Sequence, residues 1–237
     1  MNAPAATVLA PTPLLDFHHP AIEALVAARG WRSLPVAERI GAVYEFVRNE
    51  IPFGYNDGDE LPASRVLADR LGQCNTKGTL LMALLRAVGI GCRFHGFTIH
   101  KALQKGAVTG LFYRLAPPRI IHSWVEVWLH ERWIELEGFI LDEAYLRSLQ
   151  RRFPQAMAFC GYGAATRDLS SPGVAWCGRS TYIQKEGIAD DFGVFDSPDA
   201  FYARHGSNLS GFKRLLYRHV VRHAMNRNVA RIRAGRW

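Results

Sequence analysis

One segment, Asn75 to Val88, constrains the fold more than any other, because it is apolar on nearly every face that a helix would present. A helix that is apolar all round must be surrounded by other elements, so we expect it at the centre of a domain. Gly89 follows it and suits the left-handed residue that ends many helices. With 237 residues, the chain is long enough for one such domain and too short for two large ones.

The segments on either side of this helix predict an α+β fold. Before it, apolar residues recur at helical spacing from Val36 to Ile51, and a short helix is expected near Ser64 to Leu71. After it, Gly91 to Ile99 and Ser123 to Leu129 have strand character, and Trp133 to Leu141 returns from the second of these through a tight hairpin. Helices followed by antiparallel strands are typical of an α+β domain.

Composition divides the chain into four parts. Residues 1–20 are rich in Ala and Pro and read as an N-terminal arm, whereas residues 21–153 hold the predicted core, with a turn-rich loop at 52–59 that can border a site. Residues 154–210 mix Gly, Pro, Ser and aromatic residues with little period, so we expect an irregular wrap or lid there. Residues 211–237 restore an apolar stripe and predict a basic amphipathic C-terminal helix.

The net charge of +8 is concentrated at the C-terminus, because residues 200–237 hold nine Lys and Arg residues and no Asp or Glu. A solvated helix face is the simpler interpretation, and contact with an anionic surface is the alternative. We find no dedicated nucleic-acid motif, and no apolar stretch of about 18 residues that would make a transmembrane segment. The N-terminus lacks the features of a signal peptide, so we expect a cytoplasmic protein with reduced cysteines.

Gly72-Gln73-Cys74 brings a thiol to the start of the central helix. A helix N-terminus presents unpaired N–H groups and a partial positive charge, which stabilise a thiolate over a thiol. The same N–H groups can receive the oxyanion of a tetrahedral intermediate. Because an isolated cysteine is more often an inert core residue, Cys74 needs partners before it indicates chemistry.

The predicted hairpin supplies such partners. His122 opens the second strand and Glu137 lies on the returning one, so the two can lie side by side. Glu137 would then accept the Nδ1 hydrogen of the imidazole, leaving the other ring nitrogen to face the thiol. Asp142 is the alternative acid, although its position ahead of Glu143 to Arg152 suits a helix cap better.

In combination, these segments resemble the transglutaminase-like core family of the papain-like superfamily over about residues 36–142. The resemblance implies a central nucleophile helix packed on an antiparallel sheet, with Cys74 as nucleophile, His122 as base and Glu137 as the acid that orients it. The family usually has Asp at the third position. The resemblance implies no metal and no organic cofactor. Further candidates for the oxyanion hole or the cleft are Gln73, His95 and Trp124.

A zinc site built on Cys92, His95 and His100 is disfavoured, because Cys92 and His95 would point to opposite faces of one strand. We therefore expect a cysteine-dependent hydrolase, either a peptidase or an amidase, that forms a thioester with a peptide, protein or small amide substrate. Water is always present, which favours hydrolysis. The alternatives are transfer of the acyl group to an amine, as in transglutaminase-type amide formation, and a catalytically inactive binding module.

Overall fold

The computed structural model describes residues 6–208 and 211–237. It is built from α-helices and strands, with short 3₁₀ and π-helical turns between them. The α-helices are α1 (Pro20–Arg29), α2 (Val36–Glu45), α3 (Ala63–Asp69), α4 (Cys74–Ala87), α5 (Gly110–Leu115), α6 (Glu143–Arg152), α7 (Pro198–His205), α8 (Gly211–Leu216) and α9 (Arg222–Arg233). The strands are β1 (Cys92–His100), β2 (Arg119–Leu129), β3 (Arg132–Leu136), β4 (Met157–Gly161), β5 (Ala164–Asp168) and β6 (Ile188–Phe195).

Helix α4 lies at the centre, as its sequence predicts. Its residues from Cys74 to Arg86 are all buried, and it packs against β1 and β2 as well as α1, α2 and α3. Even Lys77 is fully buried, because its Nζ donates hydrogen bonds to the backbone carbonyls of Arg48 and Ile140. Burial lowers the pKa of this lysine to about 7.

The main sheet is antiparallel, with strand order β3-β2-β1-β6. Strands β2 and β3 form the expected hairpin, and Val125 pairs with Leu136. The turn between them is His130–Glu131, and both residues have positive φ, 49° and 60°, as a two-residue type I′ turn requires. The fold is therefore α+β, with the central helix packed on an antiparallel sheet as expected.

The prediction of an irregular segment at residues 154–210 was wrong. Strands β4 and β5 form a second, two-stranded sheet, and β6 is the edge strand beside β1. The sequence of β6 hides its strand character, because Asp190, Asp191 and Gly193 resemble turn formers and its pairing with β1 is interrupted by register shifts. Polar residues are common on edge strands, where one side of the backbone faces no partner strand.

Both ends of the described chain pack on the core. In the N-terminal arm, Leu15 and Phe17 are buried. In α9, Met225, Val229 and Ile232 are buried, and the helix packs against α6. None of the described helices is long and apolar enough to cross a lipid bilayer.

Candidate active site

Cys74 is the first residue of α4, and its side chain is almost buried, with 8% exposed. The turn before it is closed by a hydrogen bond of 3.1 Å from the backbone N–H of Gln73 to Thr76 Oγ1. Because Cys74 lies in the first helical turn, no carbonyl of the same helix is available to its N–H. The thiol therefore lies at the positive end of a helix, as the sequence predicts.

His122 and Glu137 form a buried pair beside this helix start. His122 Nε2 donates to Glu137 Oε1 at 2.8 Å, and neither side chain is exposed to solvent. The prediction that Nδ1 would serve this bond was wrong. Since Val125 pairs with Leu136, Glu137 lies just beyond β3 and diagonally across from His122, where its carboxylate meets the outer ring nitrogen.

The thiol of Cys74 interacts with the same imidazole ring. Glu137 leaves Nδ1 of His122 free, and this nitrogen has no other hydrogen-bond partner among the described residues. Burial on its own lowers the pKa of His122, but the charges and hydrogen bonds of Cys74 and Glu137 outweigh it and raise that pKa to about 9. These contacts therefore favour the protonated form of the imidazole.

Three backbone N–H groups hold the second oxygen of Glu137. Its Oε2 accepts hydrogen bonds from Ile183 at 2.9 Å, Gln184 at 2.8 Å and Lys185 at 3.0 Å. The N–H of Glu137 itself donates to Thr181 O at 3.0 Å, so this segment runs beside the end of β3. These bonds fix the carboxylate and stabilise its charge in a buried position. The residue types at 183–185 gave no signal of this role, because any residue except proline has the donor.

Asp142 has a different task. Its carboxylate caps α6 by accepting from the N–H of Tyr145 at 3.0 Å, and it also accepts from the N–H of Phe53 and pairs with Arg233 at 2.8 Å. Burial alone would raise the pKa of Asp142, but Arg233 and the two backbone donors lower it overall. Asp142 joins α6, the loop at Phe53 and α9, and Glu137 is the acid that contacts the histidine.

Gln73, one of the other sequence candidates, binds the loop that precedes α3. Gln73 Nε2 donates to the carbonyl of Gly58 and to Asp59 Oδ1, and Gln73 Oε1 accepts from the N–H of Asn56. The side chain of Gln73 thus anchors the loop at 56–59. As an oxyanion donor it would first have to leave these partners.

His95 and Trp124 lie together in an aromatic cluster. His95 stacks on Phe97 with ring centroids 4.2 Å apart and binds Glu126 at 2.7 Å and Asp191 at 2.9 Å. Trp124 packs against the same two rings, and its buried Nε1 has no hydrogen-bond partner within the described residues. Neither side chain has a described contact with Cys74.

Cys92 points away from this cluster. Its thiol contacts the carbonyl of Met82 in α4, whereas His95 packs with Trp124. Burial raises the pKa of Cys92 to about 11. The two residues therefore lie on opposite faces of β1, as predicted from their spacing.

Asp59 and Asn75 are site residues that the sequence did not single out. Asp59 Oδ1 accepts from Gln73 Nε2 at 3.2 Å and from Asn75 Nδ2 at 3.1 Å, so it binds both neighbours of Cys74. Asn75 in turn donates to the carbonyl of Ile121 at 3.2 Å, next to His122. A polar network thus joins the two sides of the thiol–imidazole pair.

This geometry can be compared with known proteins. The family model described as the transglutaminase-like superfamily matches residues 26–138, which include Cys74, His122 and Glu137. The transglutaminase-like match ends just after Glu137, so the backbone donors at 183–185, β6 and the C-terminal helices lie outside it.

No curated protein sequence matches the chain. Among solved structures, the chain is similar to a protein from Cytophaga hutchinsonii named as a candidate cysteine protease, with 13% sequence identity and a TM-score of 0.49. That similarity covers 84% of this chain and 50% of the other, so the chain spans half the length of that structure.

Proposed function

We propose that this protein is a cysteine-dependent hydrolase of amide or peptide bonds, with Cys74 as nucleophile, His122 as general acid and base, and Glu137 as the residue that positions the histidine. The observation that carries the proposal is the buried series of contacts from the Cys74 thiol through the His122 ring to Glu137.

In the first half-reaction, the Cys74 thiolate attacks the carbonyl carbon of the amide. The backbone N–H of Cys74 receives the negative charge that develops on the oxygen. His122 then gives its Nδ1 proton to the nitrogen of the leaving amine, the C–N bond breaks, and a thioester remains on Cys74.

In the second half-reaction, a water molecule attacks the thioester while His122 Nδ1 accepts its proton. The carboxylic acid leaves as the C–S bond breaks, and the thiolate–imidazolium pair returns. An amine in place of water would give a new amide, which is the acyltransferase alternative. Throughout both steps Nε2 of His122 retains its hydrogen and donates it to Glu137, so only Nδ1 exchanges protons.

Trapping the thioester tests the proposal directly. Incubation with a panel of activated peptide esters and anilides should add one acyl group to Cys74, seen as a mass increase on the intact protein and on its peptide. Product analysis with and without a primary amine such as putrescine separates hydrolysis from transfer. A protein that forms neither adduct nor product across the panel would support the binding-module alternative.

The elevated pKa of His122 predicts the pH dependence of the activity. The free-enzyme kcat/KM should fall on the alkaline side with a midpoint near the pKa of about 9, because the imidazolium that protonates the leaving amine is lost there. The stability of the fold should depend on pH in the same direction. Because the pKa of His122 in the folded protein lies above its usual value of 6.5, the protonated ring stabilises the fold fully below pH 6.5. This stabilisation is lost as the pH rises through about 9. A profile of kcat/KM against pH checks this, and an alkaline midpoint near 6.5 would contradict the pairing.

A further inference from the structure

The C-terminal part of the chain contacts residues on both sides of the thiol–imidazole pair. His122 is completely buried and Cys74 nearly so. Burial raises the pKa of the Tyr202 and Tyr217 phenols, and the negative charge of Asp59 raises it further. Tyr202 belongs to α7, and Tyr217 to the π-helical turn between α8 and α9.

Asn208 bridges the two sides of the site. Its Nδ2 donates to Asp59 Oδ2 at 2.9 Å, and Asp59 also holds Gln73 and Asn75 on the nucleophile side. On the histidine side, Asn208 Oδ1 accepts from the backbone N–H of Ile121 at 2.7 Å. Asn208 therefore ties the loop that holds the neighbours of Cys74 to the strand that carries His122.

A second contact holds the same segment to the same loop. Arg218 Nε lies 3.2 Å from Asp57 Oδ2, and Asp57 is buried while Arg218 is half exposed. Arg214 also lies close to this loop, because a Cβ atom placed on Gly58 would be 3.7 Å from Arg214 Nη2. The loop at 57–59 thus carries negative charge beside the thiol, and the C-terminal segment supplies the cations that face it.

The segment is anchored at its ends and loosely held in its middle. At one end of the segment, Phe201 and Tyr202 of α7 are buried in the core. At the other end, the buried residues of α9 hold it in place. Asn226 adds two hydrogen bonds to the backbone of Tyr55, at 2.7 and 3.0 Å. Between these anchors Leu215, Leu216 and Val220 are all about half exposed. Tyr217 and Val221 of the same stretch pack partly buried against the core, so opening must also release these two side chains. A stretch with half-exposed apolar residues opens at a lower free energy than the fully buried core.

We propose that Asn208 and residues 211–221, here called the strap, form a displaceable cap that blocks access to Cys74, and that an anionic lipid surface is the partner that lifts it. The inference rests on the proposed role of Cys74 as nucleophile. Opening requires that Asn208 leave Asp59 and Ile121 and that Arg218 leave Asp57, while α9 stays docked.

The choice of a lipid surface follows from the exposed side of the strap. Its exposed Leu215, Leu216 and Val220 are interspersed with Arg214 and Arg218, and residues 200–237 contain no acidic residue. Apolar and cationic side chains on one helical segment are what an anionic membrane interface binds.

Helix α5, which lies beside α9, also exposes apolar residues. Leu111 and Leu115 of α5 are also exposed, at 63% and 71%. A surface cavity is lined by Leu111 from α5 and by Ala224 and Met225 from α9, so α5 lies beside the helix that continues from the strap.

Alkylation of Cys74 by iodoacetamide tests the cap without needing a substrate. In a background with Cys160→Ser and Cys177→Ser, which removes the exposed thiols, Asn208→Ala and Arg218→Ala should each speed the modification of Cys74 about tenfold, because one charged hydrogen bond can shift an opening equilibrium by that factor. Arg227→Ala is the matched control, since Arg227 is exposed on α9 and forms no ion pair among the described residues. Equal rates in all four proteins would overturn the cap.

Vesicles test the partner. Vesicles of phosphatidylcholine with phosphatidylserine should bind the protein and accelerate alkylation of Cys74, and high salt should abolish both effects. Pure phosphatidylcholine vesicles and inorganic phosphate should do neither, and Leu215→Ser with Leu216→Ser should weaken the response. Absence of binding, or binding without faster alkylation, would overturn the lipid surface as the partner. Because alkylation reports the thiol alone, faster labelling in the strap variants without any amide cleavage would uphold the cap and refute the hydrolase.

Discussion

Replacing Cys74 by alanine should abolish turnover of any amide substrate, and His122→Ala should lower kcat/KM by at least about 10⁴-fold. The reason is that no other described thiol can replace Cys74. Cys92 is buried against α4 with a raised pKa, and Cys160 and Cys177 are exposed cysteines without a described contact to His122. Initial rates with the best substrate from the ester and anilide panel, measured beside far-UV circular dichroism, check the expectation.

Matched variants separate chemistry from folding in this experiment. Cys160→Ser removes an exposed thiol and should retain full activity. His95 also binds a carboxylate, but it lies in the aromatic cluster and has no described contact with Cys74. His95→Ala should therefore lower the stability of the protein without a comparable loss of kcat. An active Cys74→Ala protein would refute the mechanism, and equal losses in the two histidine variants would point to a folding defect.

The parts of the fold that could be predicted from sequence are those governed by local patterns. The apolar run that ends at Gly89 predicts helix α4, and the Gly72-Gln73-Cys74 segment predicts that the thiol lies at the start of this helix. The β2–β3 hairpin follows from alternating residues and a short turn, and it brings His122 and Glu137 together although they are fifteen residues apart. Patterns of this kind depend on near neighbours in the chain.

The remainder depends on contacts between distant segments. The carboxylate of Glu137 is held by backbone groups of residues 183–185, which carry no sequence signature. The choice of Nε2 over Nδ1 is set by the diagonal offset of Glu137 beyond β3, a matter of register. Asn208 reaches Asp59 across 149 residues of sequence. None of these pairings is encoded in a period or a turn, so each becomes visible only in the folded chain.

Replacing Glu137 by glutamine should lower kcat/KM by about 10² to 10⁴-fold, since the charge that holds the imidazolium and its orientation is lost. A glutamine has one oxygen and one NH₂ group, whereas Glu137 uses one oxygen for His122 and the other for three N–H donors. With the amide oxygen toward His122, the NH₂ group faces the three N–H donors. With the NH₂ group toward His122, Nε2 must accept, so the neutral ring carries its proton on Nδ1 and cannot act as a base there. We therefore also expect the alkaline midpoint of the pH profile to fall below 9, because part of what raises the pKa of His122 disappears.

Asp142→Asn provides the matched comparison for the same change of charge. It removes the ion pair with Arg233 and weakens the cap of α6, so it should lower the free energy of unfolding by about 1–3 kcal/mol. At a temperature where the protein stays folded, kcat/KM should remain within a few-fold of the wild type and the alkaline midpoint should not move. Kinetics and thermal unfolding of the two variants distinguish the roles. A large loss of kcat/KM in Asp142→Asn, together with an unchanged kcat/KM in Glu137→Gln, would make Asp142 the acid that orients the histidine. The geometry favours the opposite result, because Glu137 contacts the imidazole ring, whereas Asp142 is occupied by α6, the loop at Phe53 and α9.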